Sequence, residues 1–295
     1  MALGTNQQTI TTGANFIPEL WMNEVRAFLR ASLVLANQCK LFPMEGRKGD
    51  ILHVPDVTEF TTTAKAANTQ VTLQAPTEGQ FTLTIDQHRE SSFLIEDMLA
   101  VQNSYDLRSA YTSNAGYAVS RNIDSALASL AANGAITGNS FTNRVNGADV
   151  AFTGGNPADI TEAVIRNRNE GLDTANVPPE RCLYIHPSQK NALLAISRFT
   201  EYNMVGPGSN PLRMGQFGTI FGIDVYVSTN VATTGSGSQC NMLFNRNAIS
   251  LAVQNAPRVQ AQYKLEYIGW LFVVDVIYGY AMFRTNHGAS IITPP

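Results

Sequence analysis

One long stretch of helical periodicity dominates the pattern of hydrophobic and polar positions. Between Asp106 and Ala132, apolar residues recur at steps of three and four, which places them on one face of a helix. They are Val119, Ile123, Ala126, Leu127 and Leu130. Polar residues from Ser120 to Ser125 are expected on the side that meets water, and Asn133-Gly134 is a typical helix stop. The pattern predicts a spine helix of about 27 residues, roughly 40 Å long.

From Gly46 to Phe93 the period changes to two, which is typical of β-strands. Apolar and polar residues alternate in three short runs, which are Ile51–Val54, Val71–Ala75 and Phe81–Ile85. The pattern predicts a two-stranded ribbon that leaves the body near Gly46 and returns near Phe93. Because an isolated ribbon is marginally stable and its open edges invite pairing, a neighbouring subunit is the natural surface for it. An ordinary sheet inside the core is the alternative.

The remaining patterns surround these two features. Residues 1–15 are small and polar, which predicts an arm, and Leu20–Val34 carries apolar residues at helical spacing behind Pro18. The stretch 134–157 is rich in Gly, Asn and Thr and predicts a hinge to a lobe of mixed helices and strands. Two further strands are expected from Val259 to Tyr267, with a half-buried pattern, and from Phe272 to Phe283. They should pack on the spine helix as a helix-on-sheet layer.

Composition narrows the class of protein. The net charge is −3, and charged residues make up 15% of the chain, against roughly 25% in soluble domains. A surface so poor in charge suits a chain that buries much of its exterior against neighbours. The start of the chain does not resemble a secretory signal, and the densest apolar run, Trp270–Val274, is too short to span a bilayer. We therefore expect a soluble protein without a membrane partner.

The chain offers little for catalysis or metal binding. None of the four histidines pairs with another at metal-ligand spacing; they are His53, His88, His186 and His287. Three cysteines, far apart, are expected to be reduced core thiols rather than metal ligands or nucleophiles; they are Cys39, Cys182 and Cys240. His186 is the least unsuitable active-site residue, and a structural role at a strand end is favoured over a hydrolase. We expect no enzyme activity, no cofactor and no metal.

Four short motifs accompany this order of elements. They are Asp106-Leu107-Arg108 with Asn122-Ile123-Asp124, Leu172–Pro178 with Arg181 and Pro187, Gly218–Tyr226 with Ser228 and Asn230, and Tyr278-Gly279-Tyr280 with Arg284. With the sequence of arm, ribbon, spine helix, mixed lobe and returning strands, they resemble the Hong Kong 97-like major capsid proteins of tailed bacteriophages. The resemblance implies an α+β fold and a coat protein of the virion.

The resemblance also implies a division of the chain into four parts. These are an N-terminal arm and helix (1–46), an extended β-loop lying over a neighbouring subunit (47–93), a peripheral domain with the spine helix (94–155 and 251–295) and an axial domain (156–250). Such subunits self-assemble into hexamers and pentamers of an icosahedral capsid around double-stranded DNA, which is bound without sequence specificity. An encapsulin-type nanocompartment shell is the alternative.

Interface residues and partners follow from the same resemblance. On the extended loop we expect Glu59, Phe60, Lys65 and Glu78 to contact a neighbouring subunit, and Gly206, Pro207 and Arg213 to lie near the five- and six-fold centres. The expected partners are a portal and a scaffold, which is either a separate protein or a segment removed from this chain, and cement proteins are a further candidate. Assembly is expected in the cytoplasm of the host bacterium.

Overall fold

The computed structural model describes residues 34–295 except 45, 47, 58, 72, 103–106, 133–139 and 197–217. The described residues form three β-sheets and four α-helices. The strands are β1 (Lys40–Pro43), β2 (Ile51–Val57), β3 (Glu78–Thr84), β4 (Gln87–Glu96), β5 (Asn143–Asn146), β6 (Arg181–Ile185), β7 (Thr219–Ile220), β8 (Ile223–Val227), β9 (Ala232–Thr233), β10 (Gln239–Asn245), β11 (Ile249–Lys264), β12 (Gly269–Met282) and β13 (Gly288–Thr293). The helices are α1 (Asp97–Gln102), α2 (Leu107–Ala132), α3 (Glu162–Thr174) and α4 (Pro187–Leu194), and a short 3-10 helix (Leu35–Gln38) precedes β1.

The predicted spine helix is confirmed as α2, which has 26 residues. The predicted stop at Asn133-Gly134 lies outside the described residues. The apolar face of α2 is buried in a cluster with alternate residues of β10 and β12. From the helix this cluster takes Val119, Ile123, Leu127 and Leu130, and from the strands Cys240, Met242, Phe244, Val274, Val276 and Tyr278. The helix therefore packs against both larger sheets.

The four-stranded sheet has the order β1-β11-β12-β4. Strands β11 and β12 form a long antiparallel hairpin, β4 pairs antiparallel with β12, and β1 pairs parallel with β11. The expected packing of the returning strands on the spine helix is confirmed for the second of them, β12, which contacts α2; the neighbouring β4 contacts α2 as well.

The seven-stranded sheet has the order β5-β13-β10-β6-β8-β7, with β9 paired to β10. A second apolar cluster joins α3 and α4 to this sheet. Strand β13 was not predicted, and it lies between β5 and β10. The sequence grouped 143–146 and 288–293 with the spine helix, whereas their hydrogen bonds place them in the sheet of the mixed lobe.

The ribbon is present but shorter than predicted. Strands β2 and β3 pair antiparallel from Ile51–Thr84 to Val57–Glu78. Residues 87–96, which the sequence assigned in part to the ribbon, form β4 instead, since pairing with β12 satisfies their backbone groups. The expected strand over Val71–Ala75 is wrong: its described residues have no regular structure. Alternation supplies no hydrogen-bonding partner, and none of the described strands pairs with this segment.

The half-buried pattern predicted for Val259–Tyr267 is also wrong. Strand β11 is buried over Ile249–Ala252, but its side chains are exposed from Ala256 to Gln262. The strand ends at Lys264, and Leu265 and Tyr267 are exposed. Residues 256–267 are not part of the apolar clusters formed by the described residues. No layer formed by the described residues therefore packs on the apolar side chains of this alternating stretch.

Candidate assembly surfaces

The root of the ribbon is part of the subunit's own core. Its buried apolar residues are Met44, Leu83, Ile85 and Ala252. The amide of Ile85 donates a hydrogen bond to the carbonyl oxygen of Asp50 at 2.7 Å. Gly279 of β12 allows close approach, because a Cβ there would collide with the carbonyl oxygen of Thr84. The ribbon is therefore held firmly where it leaves the body.

The outer part of the ribbon carries four of the predicted interface residues. Beyond the pair Val57–Glu78 the described chain has no regular structure and is exposed up to β3. Glu59, Phe60 and Lys65 lie in this tip, and Glu78 opens β3. The structure thus brings these four residues onto one extension of the subunit. Their contact with a neighbour remains a prediction.

The tip also exposes large apolar side chains. Val57, Phe60, Val71 and Leu73 are all exposed, and Leu73 most of all at 89%. Within the tip, the side chain of Gln74 links the two halves of the loop, because its Oε1 accepts a hydrogen bond from the amide of Thr61 at 3.1 Å. A monomer exposing apolar side chains on an extension with two open strand edges presents a surface that favours association.

A second apolar surface, which we call the end patch, lies at the far end of the four-stranded sheet. Its exposed residues come from α1, from the turn between β11 and β12 and from the start of β12; they are Met98, Leu99, Val101, Leu265, Tyr267, Ile268 and Trp270. The amide of Asp97 donates to the carbonyl oxygen of Ile268 at 3.0 Å. The hydroxyl of Tyr263 donates to Oδ2 of Asp97 at 2.7 Å, which raises the pKa of Tyr263. These bonds join the helix to the turn and to the end of β11.

Sequence reasoning missed the end patch, because it expected this region to be a half-buried strand. One available signal was Gly269 directly behind the run Leu265–Ile268. A glycine there marks the end of a hairpin turn, and a turn that is mostly apolar has no reason to be so in a free monomer. Gly206, Pro207 and Arg213, the residues expected near the symmetry centres, lie outside the described residues.

The buried thiols are unsuited to chemistry. Cys39, Cys182 and Cys240 are free and buried, as the sequence predicts. Burial raises the pKa of all three, for Cys182 to about 12 and for Cys240 to about 11. Each thiol is therefore protonated at neutral pH, and a protonated thiol is a poor nucleophile and metal ligand. Among the described residues, no group of three or more His, Cys, Asp or Glu side chains could hold a metal ion.

His186 has the structural position that the sequence favours. Its Nδ1 accepts the amide of Ser188 at 3.3 Å and so caps α4, while its own amide donates to Oδ1 of Asn241 at 2.8 Å. Burial lowers its pKa, so the ring is neutral at pH 7 and can accept the capping bond. In the part of the chain that the structure describes, none of the helices is long and apolar enough to cross a membrane.

The same architecture is found in known proteins. Residues 82–287, more than two thirds of the chain, match the family model described as phage capsid protein. The chain belongs to this phage capsid protein family. The matched region begins within the ribbon and includes the spine helix, the mixed lobe and the long hairpin. The protein is therefore a capsid shell subunit. It is part of the virion, and its copies assemble into capsid oligomers.

Solved structures agree with this assignment. A chain from Mycobacterium phage Che8 is 25% identical, with a TM-score of 0.77 over 94% of this chain and 97% of that chain. The capsid of the cyanophage P-SCSP1u is 18% identical, with a TM-score of 0.76 over 99% and 96%. A capsid chain of an empty GTA particle is 11% identical, with a TM-score of 0.70 over 98% and 99%. The fold is the expected α+β, Hong Kong 97-like capsid fold. No curated protein matches the chain.

Proposed function

We propose that this capsid subunit assembles into hexamers and pentamers of an icosahedral shell that encloses double-stranded DNA. The observation that carries the proposal is the ribbon, with its root in the subunit core and its tip exposed. A fixed root sets the direction of the tip, and the apolar side chains of the tip gain free energy only against a second molecule. Many such contacts, each weak, add up to a stable closed shell.

Within this shell, the extended loop is 47–93, although its last residues belong to β4 of the body sheet. The peripheral domain is 94–155 with 251–295, although β5 and β13 pair within the sheet of the axial domain, 156–250. Residues 1–46 are the arm with its helix. Glu59, Phe60, Lys65 and Glu78 contact the neighbouring subunit. The end patch supplies a second contact, since its apolar residues are exposed in the single chain. Gly206, Pro207 and Arg213 belong near the five- and six-fold centres.

The proposed partners are other capsid-building proteins and the packaged DNA. Scaffolding, portal and cement proteins complete the particle, which assembles in the host bacterial cytoplasm. The net charge of the chain is −3, whereas proteins that bind DNA sequence-specifically carry basic surfaces. The shell therefore encloses the DNA without recognising its sequence. The family match favours a phage shell over an encapsulin-type compartment. Its role is structural rather than enzymatic.

Shortening the ribbon tests this proposal directly. Replacing residues 58–77 by Asn-Gly closes β2 and β3 at the pair Val57–Glu78 with a two-residue turn. We expect the variant to remain folded, because the root cluster is intact, and to form no closed particles by negative-stain microscopy. The unmodified chain, expressed with its scaffolding partner, is the reference. Normal particles from the shortened variant would show that the tip is not an assembly contact.

The contents of the particles separate the two shell classes. Nuclease-treated particles from infected cells should release double-stranded DNA of uniform length if the shell is a phage capsid. A compartment shell would instead release protein cargo without such DNA, and this result would overturn the proposal.

A further inference from the structure

The end of the amino-terminal segment is fastened to the spine helix by one buried carboxylate. Asp124 is 1% exposed, although the sequence pattern predicted it on the side of α2 that meets water. Its Oδ2 accepts a hydrogen bond from the amide of Val34 at 3.3 Å, and its Oδ1 accepts one from the amide of Ala36 at 3.1 Å. These contacts bridge about ninety positions of sequence.

The carboxylate acts as a helix cap supplied from another element. The first amides of any helix have no partner within it, and a negative group at that end is favourable. The 3-10 helix at Leu35–Gln38 has no capping side chain at its own preceding residue, Val34. Asp124 caps the 3-10 helix instead. Because it binds backbone amides, the contact depends on where the backbone lies and not on which side chains the segment carries.

The surroundings of Asp124 suit a backbone ligand and not an ion pair. Among the described residues, none of the Arg or Lys side chains forms an ion pair with it, and the nearby Arg121 donates instead to Oδ1 of Asn230 at 3.3 Å. Burial raises the pKa of Asp124, while the amides of Ala36, Val34 and Leu35 and the side chain of Asn230 oppose that rise. A buried carboxylate compensated mainly by backbone amides is strongly tied to the segment that provides them.

The residues that follow are fixed in succession. Leu35 and Cys39 are buried in the main cluster, and Nε2 of Gln38 donates to the hydroxyl of Tyr226 at 3.0 Å. Strand β1 then pairs with β11. The strap Val34–Pro43 thus runs from α2 to the four-stranded sheet, and Asp124 holds its first residues.

We infer that Asp124 is a positioning residue, which fixes the point at which the amino-terminal segment (residues 1–33) joins the body of the subunit. The inference rests on the proposed shell function in one respect: a fixed exit delivers the arm to a constant place on the neighbouring subunits. The anchor itself is a property of the single chain and can be measured without assembly.

Hydrogen exchange of the full-length subunit tests the anchor. Asp124→Asn keeps the shape but offers one acceptor oxygen and one NH₂ group, so an amide of the strap faces a donor. Asp124→Ala removes both acceptors. We expect exchange in the peptide 34–43 to become about ten- to hundredfold faster in both variants, because an amide of the strap loses its buried acceptor. Exchange in β10 and β13 should be unchanged.

Asp275→Asn is the matched control. Asp275 is a buried carboxylate of similar exposure at 5%, but it binds Arg258 across β11 and β12, at 2.9 and 3.0 Å. This variant should leave exchange in 34–43 as it is in the unmodified chain. Unchanged exchange there in both Asp124 variants, or a uniform increase along the whole chain, would overturn the inference. If the unmodified chain formed no particles, the shell function would fail while the exchange result still stood.

Discussion

The spine helix and the tip of the ribbon both carry apolar residues, but they place them in opposite environments. Leu127 of α2 is 0% exposed, whereas Leu73 of the tip is 89% exposed. Burying a leucine side chain contributes about 1.5–3 kcal/mol of stabilising free energy, and Leu127 gains it by packing within its own subunit. Leu73 can gain this free energy only by packing against another molecule. Substitutions in the helix should therefore change folding, and substitutions in the tip should change association.

The largest loss of stability is expected from a charge inside the helix face. Leu127→Asp buries an unpaired carboxylate in the main cluster and should lower the free energy of unfolding by about 4 kcal/mol or more. Urea unfolding of the purified subunit measures this change. Ser125→Asp, at an exposed position of the same helix, should cost less than about 0.5 kcal/mol. Similar stability of the two variants would show that α2 is not an essential part of the core.

A polar contact in the mixed lobe should have the next largest effect. The guanidinium of Arg181 is buried and donates to the carbonyl oxygens of Val177 at 2.8 Å and Asn169 at 3.0 Å. Arg181→Met removes the donor to the carbonyl oxygen of Val177 and the ion pair with Asp173 at 2.6 Å, and it should cost about 2–3 kcal/mol in urea unfolding.

Arg166→Met is the control for Arg181. Arg166 is exposed and pairs with Glu162 one turn away on α3, so its removal should cost only about 0.3–0.5 kcal/mol. Equal costs for the two arginines would contradict the distinction between a buried and a surface contact.

At the root of the ribbon, the two regions meet, and a moderate effect is expected. In Gly279→Ala the new methyl group collides with the backbone at Thr84 and Ile85, so the subunit should lose about 1–3 kcal/mol of stability. Gly116→Ala in α2 meets no neighbour and should gain about 0.5–1 kcal/mol. Thermal unfolding of the pair checks the sign, and a stabilised Gly279→Ala variant would refute the close packing at the root.

The smallest effect on stability, with a large effect on assembly, is expected at the tip. Leu73→Asp should change the free energy of unfolding by less than about 0.5 kcal/mol yet strongly reduce particle yield in negative-stain counts. Thr63→Asp adds the same charge at an exposed polar position of the tip and should retain particles. Loss of particles in both variants would mean that charge, and not the apolar contact, controls association.

Much of the candidate surface was within reach of sequence reasoning. The change of period at Gly46 and the paired strands around a polar middle predicted a ribbon, and β2 and β3 confirm it. The extent of the ribbon was out of reach, because β4 finds its partner β12 about 180 positions later in the chain. The end patch was missed because alternation predicts a strand face but not whether anything covers that face.

Asp124 shows the same limit at a single residue. In the sequence it is one polar position of a helix, beside Asn122 and Ser125, which are exposed. Its burial depends on the strap at Val34–Ala36, which folds back onto α2 from far away along the chain. Helical spacing determines the direction of a side chain, but only the packed neighbour determines whether water remains there.

By itself, the sequence determined the course of α2, the presence of the ribbon, the reduced core thiols and the structural place of His186. These depend on local periodicity and on residue chemistry, which act over a few positions. Tertiary structure alone decided the order of strands in the sheets, the place of β13 between β5 and β10, the exposure of the end patch and the burial of Asp124. The reason is that sheet hydrogen bonds and packing layers join residues far apart in the chain, and no local pattern records which distant partner is chosen.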